Sequence, residues 1–214
     1  MENNLKNLCI VTSVINISSN PLSYTQKRSV FTAQERFEQT IKTIESLRKI
    51  PNSVILHVEA STLSSEWEKE IRKKTDLYIN IYDNGTEELK KKIDGKYKSI
   101  AESTMIYKGL QIATLSQYEN IFKISGRYWL NDKFNWKKWN NNDTLFRTSD
   151  GLLSTCFYKV NKNDFDIWLH TLNVAMKSST MLETIFKKEM YGYKILNEQG
   201  VNGYVSVDGV FIDF

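Results

Sequence analysis

Polar and charged side chains follow the apolar runs of the sequence, at the points where predicted strands end. Ser13 ends the first run, Glu59 closes the second, Asp83 follows the third and Arg127 follows the fourth. The carboxyl ends of parallel strands meet at one edge of an open sheet, and ligands collect there. A guanidinium binds phosphate oxygens in pairs, and carboxylates accept hydrogen bonds from sugar hydroxyls. These side chains therefore predict a site for a nucleoside diphosphate.

Other residues near the same strand ends complete this predicted site. Thr12 and Ser13 supply hydroxyls, and the loop that follows them carries an aromatic ring and a cation that suit a base, a ribose and a phosphate. The further candidates are Tyr24, Arg28, Lys98, Lys123 and Gly126, with Lys27 as another cation. Arg127 has a second interpretation, as a structural arginine that closes a salt bridge under the sheet.

The elements that position these residues alternate between strands and helices over the first 125 residues. Strands are predicted at 8–15, 53–59, 77–82 and 120–125, and helices at 32–50, 64–74 and 99–116. A polar loop at 16–30 and a lysine-rich connection at 86–98 lie between them, and Thr32 with Glu35 forms a capping box. This alternation predicts a Rossmann-like, three-layer α/β domain with a central mixed, mostly parallel sheet flanked by helices.

The second half of the chain is less regular. Residues 134–143 are interpreted as a connection, and they are followed by strands at 144–148 and 152–160, helices at 164–176 and 180–190, and a strand with a turn at 201–212. No linker separates the halves, so a single domain over 1–214 is expected. Its nucleotide-binding half spans about 1–131 and its acceptor-side half about 132–214.

Composition excludes several classes of protein. The 214 residues are 41% hydrophobic and 25% charged, as in an ordinary globular protein. The net charge of +4 is too small to indicate a nucleic-acid binder. No apolar run approaches the roughly 18 residues that a membrane span needs, and no basic region suggests a signal peptide.

Cysteine, histidine and glycine usage narrows the class further. Cys9 and Cys156 lie in apolar runs, and with His57 and His170 they show no zinc or HExxH spacing. Two unpaired cysteines favour a reducing compartment, so we expect a cytoplasmic protein, in the host cytoplasm if the protein is viral. Neither GxGxxG nor a Walker sequence occurs, which disfavours dehydrogenases and P-loop enzymes.

The order of these parts resembles the GT-A-fold glycosyltransferases, especially small enzymes that glycosylate algal-virus capsids or build bacterial surface polysaccharides. The resemblance is carried by YTQKRS at 24–29, ILHVEAS at 55–61, FKISGRYWLN at 122–131 and GYVSVDG at 203–209. It implies transfer of a sugar from a nucleotide-diphosphate donor, with a UDP-sugar expected, to a glycan or glycoprotein acceptor. No nucleic acid and no membrane span are expected as partners.

One departure from this family concerns the metal. Most of its members hold a divalent cation with Asp-x-Asp after the long helix, where this chain has Ser125-Gly126-Arg127. Either Arg127 neutralises the diphosphate, or Mn²⁺ or Mg²⁺ is held by other carboxylates such as Asp83 or Asp208. A literal Asp164-Phe165-Asp166 is interpreted instead as a helix start, with Asn163 or Asp164 as the cap.

An inverting enzyme also needs a carboxylate that takes the acceptor's proton. The candidates are Asp208 and Glu183, and the resemblance favours the later residue, Asp208. Asp208 has an alternative interpretation, as a turn residue before Gly209. Glu183 is alternatively a sugar-binding acid or a solvated helix residue, and Glu59 is expected to face the reacting sugars.

Two other functions share parts of this pattern. A nucleotidyltransferase that makes sugar nucleotides has the same sheet, but it needs a glycine-rich first loop that is absent here. A non-catalytic module for glycans or nucleic acid would use the lysines at 90–92 and Trp129, Trp136 and Trp139. The lysines are interpreted as a solvated helix face, and the tryptophans fit packing equally well.

Overall fold

A computed structural model of the protein describes residues 6–214. The first half alternates strands and helices, as the sequence predicts. Its elements are β1 (Asn7–Ser13), α1 (Ala33–Ser46), β2 (Ser53–Glu59), α2 (Ser65–Lys74), β3 (Leu77–Asn80), α3 (Glu87–Ile93), α4 (Lys98–Leu110), β4 (Asn120–Ser125) and β5 (Tyr128–Leu130).

The second half consists of shorter elements. They are α5 (Trp136–Trp139), β6 (Leu145–Phe146), β7 (Thr148–Ser149), β8 (Leu152–Leu153), β9 (Phe157–Asn161), α6 (Phe165–Ala175), α7 (Leu182–Glu189), β10 (Lys194–Ile195), β11 (Val201–Tyr204) and β12 (Phe211–Asp213). Short 3₁₀ turns lie at Leu47–Lys49, Leu115–Gln117 and Lys162–Asp164. No helix among residues 6–214 is both long and apolar enough to cross a membrane.

The central sheet has seven strands in the order β10-β6-β9-β4-β1-β2-β3. β4, β1, β2 and β3 pair in parallel, and β9 runs antiparallel between β4 and β6. The register places Thr12 beside Ser125, and Ser13 beside Glu59. The predicted mixed, mostly parallel sheet is confirmed, and the ends of β4, β1 and β2 lie side by side.

Both faces of the sheet are covered, which explains the continuous apolar run of β1. Leu8 and Ile10 pack towards α4 and α6, whereas Cys9 and Val11 pack towards α1. Alternate residues of a strand point to opposite faces, so a strand buried on both faces needs apolar side chains throughout. The capping box that starts α1 is confirmed, with Glu35 N–H bonded to Thr32 Oγ1 at 3.3 Å.

A second, three-stranded sheet in the order β12-β11-β5 packs the C-terminal strands beside Arg127. Gly203 on β11 pairs with Tyr128, and a Cβ at Gly203 would overlap the Tyr128 ring. The backbone carbonyl of Arg127 accepts a bond from Tyr204 N–H at 3.2 Å. This close pairing fixes the backbone from which the Arg127 side chain projects.

Several predicted boundaries are wrong for local reasons. β1 ends at Ser13 rather than at residue 15, because Ile15 N–H bonds the Glu59 carboxylate at 3.0 Å instead of a neighbouring strand. β3 ends at Asn80 because the Asn80 side chain accepts from Tyr82 N–H at 2.9 Å and forms a turn. The predicted strand at 152–160 is in fact two strands, β8 and β9.

Three predictions about short segments are also corrected. The lysine-rich connection contains α3, which is capped by Thr86 and stabilised by i,i+3 and i,i+4 pairs between its glutamates and lysines. The connection at 134–143 contains α5. Asp164 occupies the predicted cap position of α6, but its carboxylate accepts from Thr144 and makes no capping bond. Asn161 caps the 3₁₀ turn before α6, where its side chain accepts from Asn163 N–H at 3.2 Å.

Candidate active site

A cleft opens at the carboxyl ends of β1 and β4 and divides into three adjoining compartments. Lys98 and Glu102, one turn apart on α4, line all three. The first compartment lies against β1 and α1. The second is bounded by the β7–β8 hairpin and β12, and the third lies between Tyr24 and the start of α7.

The first compartment brings together residues that are far apart in the sequence. Its polar lining is formed by Thr12, Ser13, Arg28, Arg36, Lys98, Glu102, Ser125, Arg127 and Ser206. Five of these, Thr12, Ser13, Arg28, Lys98 and Arg127, are predicted site residues. The sheet edge therefore concentrates hydroxyls and cations in one place, as the positions after the strands predict.

Arg127 projects into the cleft and lines its first two compartments. Its Nε donates to Tyr204 O at 3.3 Å, and its guanidinium lies 5.5 Å from the Tyr128 ring centre. Among residues 6–214, no carboxylate forms an ion pair with Arg127, so the salt bridge considered as its alternative role is absent. The positive charge of Arg127 is therefore not neutralised by a carboxylate and remains available to an anion in the cleft.

Lys98, the first residue of α4, presents a second cation to the same space. Its side chain reaches solvent through the cleft. The walls of the cleft keep part of the water away from the Lys98 ammonium, and this desolvation, followed by the positive charge of Arg127, lowers the pKa of Lys98 below its ordinary value. A nearby diphosphate would favour the charged form of Lys98.

Lys123 does not bind a ligand directly, contrary to its predicted place in the site. It is fully buried on β4, where its ammonium donates to the Glu102 carboxylate, to Ser125 Oγ at 2.8 Å and to Thr155 O at 2.8 Å. An ammonium has three donors, and all three are used. Lys123 instead holds Glu102 in position beneath the cleft.

Glu102 is a carboxylate at the centre of the cleft that the sequence analysis does not identify. Burial raises its pKa, but the charges of Lys123 and Lys98 outweigh burial, so the pKa of Glu102 is lowered. One of its oxygens accepts from Lys123 and from Ser125 Oγ. Glu102 is therefore an anionic hydrogen-bond acceptor fixed between the three compartments.

Glu183 is the second carboxylate of the cleft. It lies in the first turn of α7 and lines the second and third compartments. Thr155 Oγ1 donates to its Oε1 at 2.8 Å and orients the group. The other oxygen, Oε2, has no partner among the described residues, so it is free to accept a hydrogen bond from a ligand.

Asp208, the favoured base in the sequence analysis, lines none of the three compartments. It is exposed, and its Oδ1 accepts from Val210 N–H at 3.0 Å. Gly209 follows with a φ of +74°. The structure thus places Asp208 in the turn that the sequence analysis considers as its alternative role.

Glu59 lies below the cleft and does not face a sugar. It is completely buried, and its oxygens accept from Ser13 Oγ, Ile15 N–H and Ser61 Oγ. Burial raises the pKa of Glu59 to about 7, and burial lowers the pKa of its neighbour His57 to about 3. His57 Nε2 lies 2.7 Å from Ser13 Oγ. Glu59 and His57 therefore position the Ser13 hydroxyl from beneath.

Asp83 and Gly126 also differ from their predicted roles in binding. Asp83 is exposed outside the cleft, where it accepts from Thr62 Oγ1 at 2.6 Å and Asn80 Nδ2 at 2.8 Å. Gly126 is buried at the end of β4 and lines no compartment; a Cβ there would lie 2.9 Å from Thr40 Oγ1. Gly126 is needed for close packing of the strand end.

The donors around the diphosphate position do not fit a divalent cation. Asp83 and Asp208 lie outside the cleft, and the one carboxylate at this place, Glu102, is already engaged by Lys123 and lies beside the cations Lys98 and Arg127. No group of three or more acidic, histidine or cysteine side chains within residues 6–214 is arranged for a metal. Dependence on Mn²⁺ or Mg²⁺ stays a prediction for assay.

Tyr24 and Arg28 lie at the cleft with different surroundings. Tyr24 is exposed and lines the third compartment. Arg28 lines the first compartment, but its guanidinium also donates to Asn20 O at 2.6 Å and Asp94 O at 2.5 Å. Arg28 therefore ties the 16–30 loop to the turn before α4, and this loop closes one side of the cleft.

The tryptophans pack inside the molecule. Trp139 is completely buried against Phe157 with ring centres 4.7 Å apart, and Trp129 is buried beneath Lys42. Trp136 lies 6.1 Å from the Phe122 ring. Of the two interpretations, packing is therefore the one that the structure supports.

Arg36, on α1, is another cleft residue that the sequence does not reveal. Its Nε donates to Val14 O at 2.8 Å, and burial, followed by the charge of Arg127, lowers its pKa to about 9. Arg36 lies within a helix and not directly after a strand. Its position in the sequence therefore gives no indication that it reaches the cleft. For Glu102, the four-residue spacing from Lys98 on one helix face was the available signal.

No protein-family model matches the sequence, and no curated protein matches it in a sequence search. Solved structures do match the fold. The glycosyltransferase GlyE of Streptococcus pneumoniae TIGR4 superposes with a TM-score of 0.54 at 11% identity, over 91% of this chain and 46% of that one. An active-site mutant of LgtC superposes with a TM-score of 0.52 at 8% identity, over 89% of this chain and 73% of that one.

The chain has a GT-A fold. The predicted resemblance to GT-A glycosyltransferases is thus confirmed at the level of structure. The 4-diphosphocytidyl-2C-methyl-D-erythritol synthase of Anaerococcus prevotii DSM 20548 also matches, with a TM-score of 0.50 at 12% identity over 99% of this chain and 94% of that one. Because one fold hosts several activities, the choice of function depends on the site.

Proposed function

We propose that the protein is a glycosyltransferase that moves a sugar from a nucleotide-diphosphate donor, with a UDP-sugar as the expected donor, to a glycan or glycoprotein acceptor. The observation that carries this proposal is the arrangement of the cleft. Two cations without carboxylate partners in ion pairs, Lys98 and Arg127, line both the hydroxyl-rich compartment at β1 and the second compartment, where Glu102 and Glu183 also lie.

The first compartment suits the nucleotide part of the donor. Thr12 and Ser13 offer hydroxyls at the end of β1, and the 16–30 loop closes over them through Arg28. The diphosphate then lies against Lys98 and Arg127. As the anomeric bond breaks, negative charge grows on the departing phosphate, and fixed cations lower the energy of that transition state.

Glu102 and Glu183 both line the second and third compartments, and they suit the sugars there. In a direct displacement, the acceptor hydroxyl oxygen bonds to the anomeric carbon and the electron pair of the broken bond stays on the nucleoside diphosphate. The acceptor proton passes to Glu183, whose orientation Thr155 fixes. Glu102, held by Lys123, accepts hydrogen bonds from sugar hydroxyls. Glu183 takes the base role that the sequence analysis assigns to Asp208.

A nucleotidyltransferase is the second candidate, because a cytidylyltransferase-type synthase matches nearly the whole chain. That activity requires a triphosphate site, which in the expected pattern is a glycine-rich loop after the first strand. The loop at 16–30 contains no glycine. The paired carboxylates next to the cations therefore favour sugar transfer.

One assay separates these functions. The protein is incubated with a panel of nucleotide sugars, with and without manganese, and released nucleoside diphosphate is measured; parallel reactions with nucleoside triphosphates and sugar phosphates are monitored for pyrophosphate. We expect nucleoside diphosphate release from at least one nucleotide sugar. Pyrophosphate release would establish the nucleotidyltransferase instead, and no release or binding with any donor would leave only a binding module.

A further inference from the structure

Arg147 is a fifth cation of the cleft, and it has no role in the proposed transfer reaction. It lies between β6 and β7 and lines the second compartment only, whereas Arg127 and Lys98 line the first as well. Its position is therefore on the side of the cations away from Thr12 and Ser13. A group bound by Arg147 lies on the acceptor side of the reaction centre.

The Arg147 guanidinium is held in place but not satisfied. It stacks on the Phe214 ring at 3.7 Å from the ring centre, and its backbone carbonyl accepts from Ser154 N–H at 2.8 Å. Within residues 6–214, no side-chain hydrogen bond or ion pair engages its five N–H donors. A half-buried cation that is oriented by an aromatic ring, with its donors free, is prepared to bind an anion.

The surroundings of Arg147 define what this anion can be. Hydroxyls of Ser149 and Ser154 line the same compartment and can contact a sugar. Asp150, at the tip of the β7–β8 hairpin, is exposed and forms no ion pair with Arg147. The planar guanidinium fork matches the paired oxygens of a carboxylate or a phosphate.

We propose that the second compartment is an acceptor subsite for a sugar that carries a negatively charged group, a carboxylate or a phosphate, and that Arg147 binds this group. The assignment to the acceptor rests on the proposed glycosyltransferase function. The anion site itself rests on the free guanidinium, its aromatic support and the adjacent hydroxyls. In this proposal, Arg147 is a residue that determines acceptor specificity.

The test compares two sugars that carry a negative charge with their uncharged counterparts. Trigalacturonate is compared with its methyl ester, and glucose 6-phosphate with glucose, in binding titrations of the wild type, Arg147→Ala, Arg147→Lys and the control Lys137→Ala. Lys137→Ala removes one positive charge from an exposed site outside the cleft. UDP binding to each variant is measured separately and reports that the donor side is intact.

We expect the wild type and Lys137→Ala to bind at least one charged probe about tenfold or more tightly than its neutral partner. Arg147→Ala removes this preference and leaves UDP binding unchanged, whereas Arg147→Lys retains part of it. A preference for trigalacturonate over its methyl ester would identify the bound group as a carboxylate, and a preference for glucose 6-phosphate over glucose would identify it as a phosphate.

Three results would overturn the proposal: no charge preference in either pair, a preference that survives Arg147→Ala, or a loss of UDP affinity of about tenfold or more in Arg147→Ala. The last result would place Arg147 at the donor diphosphate. A wild type that shows the Arg147-dependent preference but binds no nucleotide would refute the proposed function and leave the anion site standing.

Discussion

Individual carboxylates of this chain acquire different roles from their immediate bonding partners. Glu59 is buried with both oxygens bonded, Asp208 closes an exposed turn, and Glu183 keeps one oxygen free inside the cleft. The sequence alone ranks these three residues by position along the chain. Their partners come from distant segments, so only the folded structure separates them.

This difference predicts the effect of two matched substitutions on turnover. Glu183→Gln keeps the shape of the side chain but cannot take a proton, so we expect kcat to fall by about 100-fold or more while the KM for the donor changes little. Asp208→Asn alters only the exposed turn and should leave kcat within about twofold of the wild type. Steady-state kinetics with the donor found in the panel measures both.

The Asp208 variant serves as the control for the Glu183 variant, since each replaces one carboxylate by its amide. A large loss of kcat in Asp208→Asn with normal turnover in Glu183→Gln would return the base role to Asp208. Equal effects of both substitutions would show that neither residue takes the proton alone.

At the level of elements, the ends of β1 and β2 are joined by a buried polar network. The pKa of Glu59 is raised by burial from its ordinary value of 4.5 to about 7. The folded chain therefore retains a proton that the unfolded chain releases, and the free energy of unfolding falls as the pH rises through this window. Each unit of pKa shift corresponds to about 1.4 kcal/mol, so the loss is about 3 kcal/mol.

Glu59→Gln removes this titration and provides the comparison. Between pH 4.5 and pH 8, the unfolding free energy of the wild type should fall by about 3 kcal/mol relative to that of the variant. The lowered pKa of His57 acts in the opposite direction, with stability rising from about pH 3 to 6.5, but it contributes to both chains and cancels from the difference. Urea unfolding at a series of pH values measures both curves, and parallel curves would contradict the assigned protonation of Glu59.

Long elements with a clear hydrophobic period were predictable, and short ones were not. The β1–α1–β2 unit follows from its apolar run and capping box, because local pattern and tertiary packing agree there. α3, with a single buried side chain, Ile93, has too little apolar pattern to signal a helix. The pairing of β5 with β11 joins residues more than 70 positions apart, and sequence pattern contains no information on such partners.

At the scale of the whole molecule, the strand ends predicted where the site lies but not its full membership. Arg127 was identified because it directly follows a strand, and the structure places it in the cleft. Arg36, Glu102 and Arg147 were missed because they lie on helices and a hairpin that only the fold brings to this edge. Lys123 was misplaced because its side chain points under α4 rather than into the cleft.

The central claim is that Arg127 and its neighbours form one binding site for a nucleoside diphosphate. Calorimetric titration with UDP of the wild type, Arg127→Ala and the control Lys137→Ala tests it most directly. The account predicts that the wild type and Lys137→Ala bind UDP alike and that Arg127→Ala binds it about tenfold or more weakly, because charge-assisted bonds to phosphate are lost. Equal UDP affinity in all three proteins, or no nucleoside diphosphate binding by the wild type, would contradict it.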